Sequence, residues 1–271
     1  MGRVGGRVVP LLIGVGLIVA GCGNEARQGS TATVTSPPGV ADPPGEPAAP
    51  PTASVTWPAT PSPRPEGVLV AGRYQPLWPF SGPEEAAGWQ RAHRADGREA
   101  WRLDPARTAL TFTRGYLGFT EIDQAVKTVR EGRHARVHVG ATPEEGSQPL
   151  VAAVVHLVRY GSGGDAPWEV VGTDDTSFSL TRPGYGAAVN SPLTVGGRIT
   201  GVDESVRVQV RRPGTAEPLG ESCCVSAGGE NAPWSGQVTF RAAPGRTLTV
   251  VVSTGGHVAA VERFAVTGVT G

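Results

Sequence analysis

Between Gly23 and Glu66 the chain carries proline pairs at Pro37-Pro38, Pro43-Pro44 and Pro50-Pro51, with Pro47, Pro58, Pro61, Pro63 and Pro65 set among Ala, Ser, Thr and Gly. Each proline removes a backbone donor and fixes φ, so neither a helix nor an inner strand can run through such a stretch. Large apolar side chains are scarce there, and no core could offset the entropy cost of ordering it. The composition predicts an extended tether over 22–66, with a reach on the order of 100 Å as polyproline II. Folding is thereby confined to the residues after Glu66.

The segment before the tether is of another kind. Arg3 and Arg7 precede an apolar run from Val8 to Ala20, interrupted by Pro10, Gly14 and Gly16. That run is short of the roughly 20 residues a spanning helix needs and suits a signal peptide over 1–21. It ends in Leu17-Ile18-Val19-Ala20-Gly21-Cys22, which resembles a bacterial lipobox. The resemblance implies cleavage before Cys22 and a diacylglyceryl group on its thiol, with the mature chain held on the outer face of the bacterial cell membrane. Two or three acyl chains suffice for stable anchoring.

Beyond the signal, about 250 residues suit two domains or one large one by size, and the composition favours two plus a linker. Lys+Arg and Asp+Glu are 24 each and no basic cluster stands out, so nothing favours nucleic acid as a partner. Apart from Cys22, the cysteines are the neighbours Cys223 and Cys224. Outside the cytoplasm they can oxidise. A bond between them must span Cα atoms closer than disulfides prefer. The other reading buries one thiol and exposes the other, as alternation along a strand would place them.

Over 67–187 the pattern is α+β. Ser81-Gly82-Pro83-Glu84 has capping-box spacing and predicts a helix from about Gly82 to Arg94. Asp104-Pro105 predicts a second helix, the carboxylate capping and the proline taking the first turn. The period then shortens to two, with strands expected over Ile122–Val129, Arg133–Val139, Leu150–Tyr160 and Trp168–Leu180, the last bent at Gly172. Helices followed by a strand meander give helices on one face of a curved antiparallel sheet. In general layout this resembles the cone-shaped NTF2-like domains.

Small residues between Pro183 and Asn190 read as a domain junction, and 188–271 as an all-β sandwich. Strands are expected over Leu193–Thr200, Ser205–Arg211, Leu219–Val225, Trp234–Arg241, Thr247–Thr254 and Val258–Val266. Ser191-Pro192-Leu193-Thr194-Val195-Gly196-Gly197, Glu204-Ser205-Val206-Arg207-Val208, Pro233-Trp234-Ser235 and Val238-Thr239-Phe240 resemble the immunoglobulin-like domain of bacterial spore germination proteins, found widely on surface lipoproteins. The resemblance covers the last third of the chain and implies a binding or structural sandwich without catalytic residues. Trp234 often stands as Phe in that pattern, and Cys223-Cys224 is foreign to it.

Catalytic and metal motifs are not evident. His134 and His138 would pair on a helix, but on a strand they stand about 13 Å apart, too far to share one ion. His156 lies in an apolar strand and reads as a hydrogen-bonded interior group. There is no nucleophile elbow, Walker loop, His-Glu-x-x-His or acidic calcium loop, and no cofactor is expected. Asp174 and Asp175 should point to opposite faces. The expected role is therefore non-enzymatic: binding, scaffolding or envelope assembly by a lipid-anchored protein. The alternative is small-molecule binding or hydrolysis in the mouth of the α+β cone, with Trp101, Tyr116 and Trp168 as walls. Because helices would cover one face of the sheet, Leu150, Ala152, Val154 and Val158 are left as a candidate interface for a second copy or an envelope protein.

Overall fold

The computed structural model describes residues 73–271 apart from Glu145 and Val258. The signal segment, Cys22 and the proline-rich tether lie outside the described residues. Those described all belong to one compact unit, Ala59–Gly271. It is built mostly of strand, as two four-stranded antiparallel sheets with few helices.

Helix α1 spans Pro83–Asp96 and α2 spans Pro105–Thr111. The expected capping box does not form. Gly82 is the N-cap and makes no side-chain cap, while the Ser81 N–H and hydroxyl both donate to Glu85, one residue beyond Glu84, at 2.8 Å. Gly97 ends α1 at φ 72°, a left-handed conformation open to glycine at little cost, and its N–H donates to the His93 carbonyl. Asp104 caps α2 as its sequence predicts, accepting from Ala106 N at 2.8 Å and Arg107 N at 3.1 Å. A π-helical turn over Phe112–Tyr116 follows directly.

The first sheet runs in sequence order through β1 (Gln124–Glu131), β2 (His134–Ala141), β3 (Leu150–Arg159) and β4 (Trp168–Asp174). Alternation decides its faces. Ala135, Val137, Val139, Ala153, Val155, Leu157, Trp168 and Val170 form one core with Ala109 of α2, Phe112 of the π-helical turn, Leu117 and Ile122. The opposite face is not left bare. Ala86 and Trp89 of α1 pack with Phe80, Val158, Tyr160 and Val171 in a separate cluster. Helices on one face only is therefore not the arrangement adopted, because α1 crosses to the other side. The candidate interface changes accordingly. Val158 lies under α1, Ala152 joins the α2 core beside a register shift at Val139/Gly140, and Val154 is buried, leaving Leu150 exposed.

The second sheet has the order β6-β5-β7-β8. Four strands replace the expected six. β5 is continuous over Leu193–Arg211 and β6 over Gly220–Val238, and they pair as one long hairpin. Glycines that read as breaks lie inside the ladder, as in Gly201 opposite Gly229, because backbone pairing needs no side chain. β7 covers Thr247–Thr254, as expected, whereas β8 covers Arg263–Thr270, later than the expected Val258–Val266. Val195, Ile199, Trp234 and Val238 from one half of the hairpin share a core with Val206, Val208, Val210, Leu248, Val250 and Val252. For both halves to meet, the hairpin must fold over at the register shifts between Ile199 and Glu204.

The stretch read as a domain junction is tied at several points. Gly186 N donates to Gly268 O at 2.7 Å, and Val189 N to Thr270 O at 2.8 Å. Val251, Phe264 and Val266 of the second sheet are part of the α2 core of the first. Arg211 Nη1 donates to Tyr116 O at 2.9 Å while Tyr116 donates its hydroxyl proton to Arg212 O at 3.0 Å, closing a reciprocal link between the two layers.

Candidate functional site

A cleft of about 240 Å³ opens where β4 meets β8 on the α1 side of the first sheet. Its position arises from a bulge. His156 pairs with Gly172 and Leu157 with Val170, so Val171 is extra and β4 bends next to His156. Gly172 stands at φ +150°, and a Cβ there would lie 3.3 Å from Val266 O and 3.8 Å from the Tyr185 ring. The absence of a side chain at Gly172 lets β8 and Tyr185 close around the cleft. Thr173 Oγ1 accepts from Val266 N at 2.8 Å and holds the two strands in that relation.

Aromatic groups form one wall. The Tyr74 ring stands edge-on to His156 at 5.2 Å, His134 at 5.7 Å and Tyr185 at 6.3 Å. Tyr185 is 43 % exposed, yet its orientation is fixed. Its hydroxyl accepts from Gln75 N at 2.8 Å and donates to Gln75 O at 3.3 Å. Burial of that hydroxyl raises its pKa above the ordinary tyrosine value.

His134 and His156 meet across the β2–β3 ladder, Nδ1 to Nε2, at 3.0 Å. This is the interior hydrogen bond expected of His156, and its partner is His134 of the neighbouring strand. Burial, then the Arg136 cation, push the His156 pKa down to about 4, so the ring is neutral near pH 7. Arg136 is opposite His156 in the ladder and is engaged by Asp174 at 2.8 Å. Asp175, next in sequence and just past the end of β4, lines the cleft. Among the described residues no group of three or more His, Cys, Asp or Glu is placed to hold a metal.

Of the residues expected to wall a cone, Trp168 and Tyr116 are in the core and Trp101 is half-buried. Trp168 is 1 % exposed and donates its indole N–H to Leu103 O at 3.2 Å, while Tyr116 is buried against Phe112. Burial pushes the Tyr116 pKa up to about 12. Trp101 stacks on Trp78 with centroids 5.5 Å apart. The space between α2 and the sheet is thus filled by side chains. Glu169, fully buried on the α1 side, accepts from Phe80 N at 3.2 Å, and desolvation raises its pKa well above the carboxylate range. No sequence pattern had marked it.

Cys223 and Cys224 are joined by a disulfide in β6, and both are exposed. Val206 pairs with Val225 and Val208 with Ser222, so the two cysteines stand together across from Arg207, as in a bulge. One buried and one exposed thiol is therefore not the arrangement found.

Among the described residues no helix is long and apolar enough to cross a membrane. Tyr74, Tyr185 and Thr267, which complete the cleft, escaped the sequence because they come from three separate parts of the chain. No protein-family model, curated protein or solved structure matches this chain.

Proposed function

We propose that the protein is a lipid-anchored bacterial surface protein with a non-enzymatic role in binding or envelope assembly. The observation that supports this most is the filled space beneath α2. A hydrolytic site there would need an opening with converging polar groups, whereas Trp168, Phe112, Leu117 and Ile122 pack that volume at 4 % exposure or less. Lipidation at Cys22, export through the 1–21 segment and the outer-face location belong to this reading and rest on the lipobox resemblance. The long β5–β6 hairpin layer is read as an immunoglobulin-like module of the spore germination type, and the α2-bearing sheet as NTF2-like in layout only. Partners are a second copy or an envelope protein, met near the exposed Leu150 and Val151.

The reading is tested by assaying the full chain against chromogenic esters, phosphoesters, glycosides and peptides. No turnover above background is expected. Turnover that disappears in a Tyr116→Phe variant of unchanged stability would restore the cone as a catalytic site and overturn the proposal.

A further inference from the structure

We propose that the cleft between β4 and β8 is a binding site for one uncharged, polyhydroxylated ring: a single sugar unit, free or at the end of a longer glycan. This goes beyond the assembly role, which would survive its failure. Size sets the first limit. Ligand pockets for drug-sized molecules run from about 300 Å³ upward, and about 240 Å³ suits one ring. Charge sets the second. No Lys or Arg is among the residues that line the cleft, and Asp175 is, so phosphates and carboxylates find no cation and meet a carboxylate. A cationic ligand is disfavoured because the Tyr74 ring already takes the Arg73 guanidinium, 5.8 Å from its centroid.

The available hydrogen-bonding groups then fit hydroxyls. Asp175 and Thr181 at the rim and Thr267 inside make no side-chain hydrogen bond or ion pair with the described residues, and His156 uses only Nε2 on His134. They offer a strong acceptor, two groups that both donate and accept, and one ring nitrogen. Sugar hydroxyls, which also do both, can satisfy all of them. The Tyr185 ring supplies an apolar platform beside these groups. Its hydroxyl is held at both Gln75 backbone atoms, so its exposed face is oriented before a ligand arrives, which lowers the entropy cost of binding.

The test is a titration of the full chain with glucose and with N-acetylglucosamine, followed by amide chemical shifts, with inorganic phosphate and choline as charged probes. We expect one of the sugars to bind in the millimolar range and to shift Gly172, Tyr185 and Thr267. Asp175→Asn, at an exposed position without a partner among the described residues, should weaken that binding about tenfold, as loss of a charge-assisted hydrogen bond implies. Thr181→Val, also exposed, should weaken it severalfold. The proposal is overturned if neither sugar shifts these residues up to about 100 mM, well beyond the range expected. It is equally overturned if both variants bind like the parent, or if phosphate or choline moves the same residues at lower concentration than either sugar.

Discussion

His156 couples the cleft to pH. Its folded pKa of about 4 lies below the value near 6.5 that an unfolded chain would show. Between these values the unfolded state binds the extra proton, so stability rises with pH there. The contribution of neutral His156 is complete above about pH 6.5 and is lost as pH falls through 4. Urea midpoints compared at pH 7 and pH 4.5 should show a loss on the order of 2 kcal/mol. His156→Gln should remove most of this dependence, and an unchanged slope would assign it to other groups. That His156 would be an interior, hydrogen-bonded residue was legible from its apolar strand. Its partner was not, because the diagonal approach of His134 depends on the register between β2 and β3.

Local chemistry and long-range pairing separate what the sequence discloses from what it hides at the level of elements. Asp104-Pro105 was legible because the cap lies within three residues of its acceptors, and the alternation over β2 survives intact. The continuity of β5 and β6 was hidden, since Gly201 and Gly229 look like turns and are held by each other's backbone. The bend at Gly172 was visible as a glycine in an apolar strand; its use, admitting β8 and Tyr185, was not. Gly172→Ala is expected to destabilise the protein by about 1–3 kcal/mol, because φ +150° is costly with a Cβ and Val266 O lies 3.3 Å from its position. A denaturant midpoint equal to the parent's would rule out this role for the bulge. A crystal structure of the variant should show β8 displaced from β4.

At the scale of the molecule, a stretch that reads as a linker is a tied crossing, because its small residues let the backbone bond to β8. Phe264, 1 % exposed, lies on β8 in the core that also holds α2 and β3. Phe264→Ala should cost about 3–5 kcal/mol and lower the stability of both sheets together. Calorimetry of the parent should accordingly show one transition, and the 183–190 stretch should resist proteases; two separated transitions would restore independent domains. The sequence pattern could not reveal this union, since each sheet has its own alternation and the shared core arises only when the two are packed. The surface role proposed for this body depends on where Cys22 places it. Intact mass and peptide mapping of the full-length gene product, recovered from bacterial membranes, decide that placement. We expect a chain that begins at Cys22, carries diacylglyceryl on its thiol and loses that mass in Cys22→Ala. A chain retaining residues 1–21, or one with an unmodified Cys22 in the soluble fraction, would refute the surface assignment.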